Sequence, residues 1–204
     1  MNYLRIDKED ICNGEGLRVV LWLSGCYHKC KGCQNPQTWD ANSGIPFDES
    51  AKDELFRELD NDYISSLTLT GGDSLFERNL DSVLDLVIEV NKRYNTLPDI
   101  DVDNINNHNI LRRDANETRL SSPKKSICLY TGYDFVEMLK DAAKAKDKKS
   151  LKRFMILKNV DVLVDGRYVD SERDITLPYR GSKNQRLIDI QQSLQKGKIV
   201  LWQT

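Results

Sequence analysis

Short apolar runs, most of them stopped by a glycine-containing turn, set the rhythm of this chain. Val19-Val20-Leu21-Trp22-Leu23 ends at Ser24-Gly25, Leu67-Thr68-Leu69-Thr70 at Gly71-Gly72, and Ile127-Cys128-Leu129-Tyr130 at Thr131-Gly132. Val160-Asp161-Val162-Leu163-Val164-Asp165-Gly166 repeats the theme. Their length, their β-branched and aromatic content and their flanking turns predict buried strands. Lys198-Ile199-Val200-Leu201-Trp202 predicts a last strand near the end. The period changes between these runs. Residues 48–60 place Ala51, Leu55, Phe56 and Leu59 on one helical face, and residues 79–94 do the same with Leu80, Val83, Leu84, Val87 and Ile88. A further helix is expected after Asp134, an N-cap with Glu137 three residues on. Its polar continuation, residues 144–152, reads as a solvated helix or loop.

Strands alternating with helices imply right-handed βαβ units on a parallel sheet. Four or five strands are too few for a closed eight-stranded barrel of ~250 residues. The expected fold is therefore α/β, an open partial (βα) barrel of mostly parallel strands in one domain. In such sheets the site lies at the carboxyl ends of the strands. The loop after residue 23, Gly71-Gly72-Asp73, Thr131-Gly132 and Asp165-Gly166 all fall at such ends. Residues 95–125, rich in Asn and Asp, break the pattern and read as a surface insertion. Asp99, Asp101 and Asp103 invite a calcium reading, but an EF-hand loop from Asp99 would need glycine at Asn104 and glutamate at Ile110.

Composition narrows the function class. The net charge of −2 gives no overall attraction to nucleic acid or to an anionic membrane, and no apolar run reaches the roughly 18 residues that span a bilayer. The charged start, Met1-Asn2-Tyr3-Leu4-Arg5-Ile6-Asp7, is unlike a signal peptide, so a cytoplasmic, thiol-reducing setting is expected. Of five cysteines, Cys26, Cys30 and Cys33 fall within eight residues. An odd count clustered in this way reads as metal binding rather than as a disulfide framework.

Three thiolates in one short loop suit three irons of a cubane and leave the fourth iron open. An open position distinguishes a catalytic centre from a closed structural one. Zinc held by the cysteines and His28 is the alternative, but zinc ligands come as two spaced pairs and no second pair exists here. Cys12 and Cys128, outside the cluster, read as small packing residues.

The Cys26-x-x-x-Cys30-x-x-Cys33 spacing after a strand resembles the radical S-adenosylmethionine superfamily. Within it the chain resembles the activating components of anaerobic ribonucleoside-triphosphate reductases. That likeness rests on Asn13-Gly14-Glu15-Gly16-Leu17-Arg18, Ser24-Gly25-Cys26, Cys33-Gln34-Asn35-Pro36-Gln37-Thr38-Trp39, Thr70-Gly71-Gly72-Asp73, Tyr130-Thr131-Gly132-Tyr133, Asp161-Val162-Leu163-Val164-Asp165-Gly166 and Arg180-Gly181-Ser182-Lys183-Asn184-Gln185-Arg186. Two departures stand out: Gly32 replaces an aromatic residue that many superfamily members place before the third cysteine, and the 95–125 insertion is longer than the family needs.

The resemblance implies a [4Fe–4S] cluster on Cys26, Cys30 and Cys33, with S-adenosylmethionine at its open iron. It implies a flavodoxin-like electron donor and cleavage to methionine and a 5′-deoxyadenosyl radical. That radical would take a hydrogen from a glycine in the reductase's large subunit. It further implies that Gly71, Gly72 and Asp73 hold the methionyl amino group, against a simple N-cap at Asp73. Main chain at Gly32, Cys33 and Gln34 would meet the adenine, with Gly32 leaving room for a purine face. Thr131 and Asp165 read as residues that contact the ribose or order the cleft, or as turn formers, residues 180–186 as a segment that docks the partner or closes the cleft, or as a solvated loop, and Arg18 as a docking or surface residue. Rival readings are a formate-lyase-type activase, a deazapurine synthase, or a zinc-binding module without catalysis. The Tyr130 and Arg180 stretches argue against the first two.

Overall fold

The computed structural model describes residues 1–95 and 124–203, so the expected insertion, with Asp99, Asp101 and Asp103, lies almost wholly outside the described residues. Among the described residues seven strands form one open sheet: β1 (Asn2–Asp10), β2 (Arg18–Leu23), β3 (Ile45–Pro46), β4 (Ser66–Gly71), β5 (Ser126–Tyr130), β6 (Val162–Asp165) and β7 (Arg186–Asp189). Their spatial order is β3-β1-β2-β4-β5-β6-β7. The central strands β2, β4, β5 and β6 run parallel, and β1, β3 and β7 flank them antiparallel.

The parallel strands are those expected from the apolar runs. The count of four or five is corrected to seven. β1 has no apolar signal because it is mostly polar and only half-buried, β3 because it is two residues long, and β7 because its four residues follow directly on a polar loop. The expected strand at 198–202 is reduced to a single bridge between Ile188 and Leu201.

Helices α1 (Glu49–Leu59), α2 (Leu80–Tyr94), α3 (Phe135–Ala143), α4 (Lys148–Lys158) and α5 (Ile190–Lys196) complete the fold. Four of them begin at an aspartate whose carboxylate accepts a main-chain N–H three residues on: Asp48 from Ala51, Asp134 from Glu137, Asp147 from Ser150 and Asp189 from Gln192. Each such cap contributes about 1 kcal/mol. α4 occupies much of the stretch read as a solvated tail. Its lysines hide a short buried stripe, with Ile156 and Leu157 inaccessible to solvent.

The sheet is covered unequally. Leu21, Leu23, Leu67, Leu69, Ile127, Leu129 and Leu163 pack with Leu55, Val83, Val87, Phe135 and Ile156 of the helices in one aliphatic core. Alternate residues of the same strands point the other way. There Cys128, Val162, Val164 and Leu187 form a second, smaller cluster with Tyr130, Tyr179 and Trp202, and among the described residues no helix contributes to it. A cavity of about 270 Å³ opens on this helix-free face, between Arg18, Ser66, Cys128, Val164, Tyr179 and Trp202. Among the described residues, no helix is long and apolar enough to cross a membrane.

Candidate active site

The loop after β2 carries Cys26, Cys30 and Cys33, all free and partly exposed. It is tied down at its start. Gly25 N donates to Thr38 O at 2.7 Å, and Cys26 N donates to Trp39 O at 3.1 Å. The turn after β4 fastens to the same place, Gly72 N to Leu23 O and Asp73 N to Gly25 O, both at 2.8 Å. The cysteine loop and the Gly71-Gly72-Asp73 turn are therefore one unit.

Each sulfur has a main-chain donor beside it. Asn35 N lies 3.4 Å from Cys33 Sγ. Burial pushes the Cys26 thiol up, aided by the Asp73 charge, while the amides of His28 and Lys29 pull it down. Burial likewise pushes the Cys30 thiol up against the Tyr168 amide. Amides aimed at sulfur stabilise thiolate and tune bound iron. Trp39 Nε1 and Arg180 Nε, in segments that touch the loop, are buried donors without a protein acceptor. Among the described residues no three His, Cys, Asp or Glu side chains are grouped to hold a single metal ion. A cubane asks something different of the loop, since each thiolate takes its own iron. Three sulfurs with separate amide donors, beside orphaned N–H groups, fit an anionic iron–sulfur cluster.

Asp73 is 2% exposed and sits at the centre of the site. Its Oδ1 accepts from Leu75 N and Thr131 Oγ1, both at 2.8 Å. Its Oδ2 accepts from Gly132 N at 3.0 Å and meets His28 Nε2 at 2.7 Å. The last contact is a close polar approach rather than a hydrogen bond, since His28 Nε2 has no hydrogen-bond partner. The bond to Leu75 N is the turn-capping one; the others join the turns of β2, β4 and β5. Thr131 also accepts from Tyr133 N at 3.2 Å. Asp165 is wholly buried and engaged. Its Oδ1 accepts from Arg186 Nε at 2.9 Å, and its Oδ2 takes Phe135 N at 2.9 Å together with Arg186 Nη2.

The connection from β6 to β7 folds back over the cysteine loop, a feature with no signal in its sequence. The space left by the missing side chain of Gly32 is filled by Asp170: a Cβ there would lie 2.4 Å from Asp170 Oδ1. Gly32 also has φ +74°, a left-handed conformation suited to glycine. Gly181, from the segment read as docking or solvated, approaches Gln34 Nε2, where a Cβ would stand 3.0 Å away. Arg186, from the same segment, is the half-buried partner of the buried Asp165. Arg18 is not a surface residue. It is 3% exposed, and its guanidinium donates to Asn13 O, Glu15 O, Gly16 O, Ser66 Oγ and Thr68 Oγ1, clamping the 13–16 turn onto the start of β4. Of the residues expected at the site, all ten lie at the carboxyl ends of β2, β4, β5 and β6, whereas Arg18 lies at the other end of the strands.

Comparison with known proteins adds an independent line. The family described as a 4Fe-4S single cluster domain matches residues 12–103 and 102–188. Three similar proteins each bear the name anaerobic ribonucleoside-triphosphate reductase-activating protein. That of Enterobacteria phage T4 is 37% identical over 187 residues, covering 92% of this chain and 93% of its own. That of Pasteurella multocida is 33% identical, covering 91% of this chain and 95% of its own. That of Escherichia coli K12 is 31% identical, covering 91% and 96%.

Proposed function

From the premise that the chain belongs to the family of anaerobic ribonucleoside-triphosphate reductase-activating proteins, we propose that Cys26, Cys30 and Cys33 hold a [4Fe–4S] cluster and that the protein works on S-adenosylmethionine. The protein is an activating enzyme, and its target on this reading is the large subunit of an anaerobic ribonucleoside-triphosphate reductase. When bound, the cluster supplies the electron that cleaves S-adenosylmethionine reductively, and a glycyl radical on the target is the outcome.

The chain's own residues hold and shield this chemistry. The three thiolates leave one iron for the cosubstrate. For the adenine to reach main chain at Gly32, Cys33 and Gln34, Asp170 must leave the space it fills beside Gly32, and the Gly71-Gly72-Asp73 turn receives the methionyl end. A carboxylate accepts about four hydrogen bonds, and Asp73 accepts three, from Leu75 N, Thr131 Oγ1 and Gly132 N. An anchored carboxylate with one acceptor place left therefore meets the methionyl ammonium. Thr131 holds that carboxylate in place, and Asp165 with Arg186 holds the β6 end beside the ribose. The helix-free face supports the finer fold reading, an open partial barrel of the radical S-adenosylmethionine type in one domain with an insertion at 95–125. An open face also admits a polypeptide substrate, and the expected donor is flavodoxin-like in a cytoplasmic setting.

The observation that carries this reading is the fastening of the three-cysteine loop to the β4 and β5 turns at the carboxyl ends of parallel strands. The test is anaerobic reconstitution with iron and sulfide, then reductant and S-adenosylmethionine. The expected result is about four irons per chain and release of methionine. Zinc binding without cleavage would refute it.

A further inference from the structure

His28 lies between the first two cysteines, yet its ring points away from solvent, with a side chain only 6% exposed. Three parts of the fold are shaped around that ring. Asp73 Oδ2 meets Nε2 at 2.7 Å. Tyr133 packs edge-on at 4.7 Å between ring centroids, at 76°. Gly132 leaves the ring its room: a Cβ there would lie 2.3 Å from His28 Cδ2 and 2.7 Å from Nε2. Tyr133 is itself held, with Arg153 Nη2 donating to its hydroxyl at 2.9 Å and the guanidinium 4.2 Å from the ring centroid. The imidazole thus plugs into a socket made by the β4 and β5 turns, while its main chain belongs to the cysteine loop.

We propose that His28 is a positioning residue for the iron–sulfur site: its ring fastens the Cys26–Cys30 turn to the Asp73–Gly132 socket and so fixes where two of the three thiolates stand. The physical reason is entropic. A loop whose ligands are held in place gives up little conformational freedom when it takes a metal group, whereas a loose one must be ordered residue by residue at that moment. Partners that orient metal ligands are worth about 10- to 100-fold in metal retention. The zinc reading gave His28 a different job, as a ligand. Its Nε2 lies against Asp73 instead, at 2.7 Å.

The inference rests on the cluster reading of the preceding section, and its test separates the two. His28→Ala, His28→Gln and Gly132→Ala are compared with the wild-type chain by two measurements. The first is hydrogen–deuterium exchange of the metal-free protein. His28→Ala should speed exchange within residues 26–35 and 131–133 and leave β4 and α2 unchanged. The second is transfer of iron from the reconstituted protein to a chelator, which should become about 10- to 100-fold faster. Gln, whose amide can reach Asp73, should restore most of both. Gly132→Ala should reproduce the His28→Ala result by evicting the ring. Wild-type exchange in the loop of His28→Ala would overturn the proposal, and so would faster exchange spread over the whole sheet. A loosened loop in a chain whose wild type takes up no iron would uphold the fastening and refute the cluster.

Discussion

The two faces of the sheet are made from the same strands and do opposite work. On the helix-bearing face Leu67, Leu69, Ile127 and Leu129 are fully buried under α1–α4. On the other face their neighbours in sequence are Thr68, Thr70, Cys128 and Tyr130; there Cys128 borders a cavity, Thr68 meets Arg18, and among the described residues the cluster holds no helix residue. One face stabilises by burying hydrocarbon. The other uses hydroxyls, a thiol and a buried arginine to fix loops while leaving room for chemistry. The alternation of Leu67-Thr68-Leu69-Thr70 is the trace of that division, since a strand buried under helices on both faces would read as a continuous apolar run.

The largest expected effect falls on the loop above these strands. Replacing Cys26, Cys30 or Cys33 by Ala should abolish cleavage of S-adenosylmethionine and most iron retention. Replacing Cys128, on the helix-free face, or the exposed Cys12 should spare both. Iron and sulfide analysis with product assay decides this, and a Cys30→Ala protein with full iron would break the assignment.

Next comes Arg186→Ala, which strips the partner from a carboxylate with no solvent access. Arg186 is half-buried and Asp165 keeps the Phe135 N–H, so the cost should fall below the roughly 3–5 kcal/mol of a fully buried pair, at about 2–3 kcal/mol, read as a lower midpoint in denaturant. A smaller contrast sharpens the comparison of faces directly. Leu69→Ala should cost about 2–5 kcal/mol by opening a cavity in the core. Thr68→Ala should cost about 1–3 kcal/mol, because it removes an acceptor 2.6 Å from the buried Arg18. Equal costs on the two faces would contradict their division of labour.

pH offers a milder probe of the helix-free face. Burial pushes the Cys128 thiol up from 9.0 to about 11. Between those values the unfolded chain has lost the proton that the folded chain keeps. Stability should therefore be intact below about pH 9 and fall by about 1.4 kcal/mol per pH unit towards pH 11. Cys128→Ala should remove that component of the slope, and at pH 8 a thiol reagent should modify Cys12 well before Cys128. The smallest effect concerns the insertion. Asn95 Nδ2 donates to Lys125 O at 2.7 Å, and Lys125 N donates to Asn95 Oδ1 at 3.0 Å, so the two ends are pinned together. Loop-closure entropy varies slowly with length. Replacing residues 97–123 by a short flexible linker should shift stability by less than about 1 kcal/mol.

What could be read from the chain follows from how each signal is carried. β2, β4, β5 and β6 were legible because central strands are apolar and end at turns, and Asp48 and Asp134 were legible as caps because capping is local. The three cysteines were legible because their ligand spacing is local too. β1 and β7 were not, since flanking strands get their register from neighbours rather than from their own hydrophobicity. The ion pair of Asp165 with Arg186 joins residues 21 apart, and the contact of Asp170 with Gly32 joins two distant loops. Nothing in either segment announces its partner. Arg18 reads as a surface cation until the five acceptors gathered around it are seen.

The central claim is that this chain places a radical on its target. Reconstituted protein is incubated anaerobically with reductant, S-adenosylmethionine and the large subunit of the reductase, and the mixture is examined by electron paramagnetic resonance. The account expects a glycyl-radical signal on the large subunit that requires all components and is missing with Cys30→Ala. A fully iron-loaded protein that cleaves S-adenosylmethionine yet yields no such signal would contradict it.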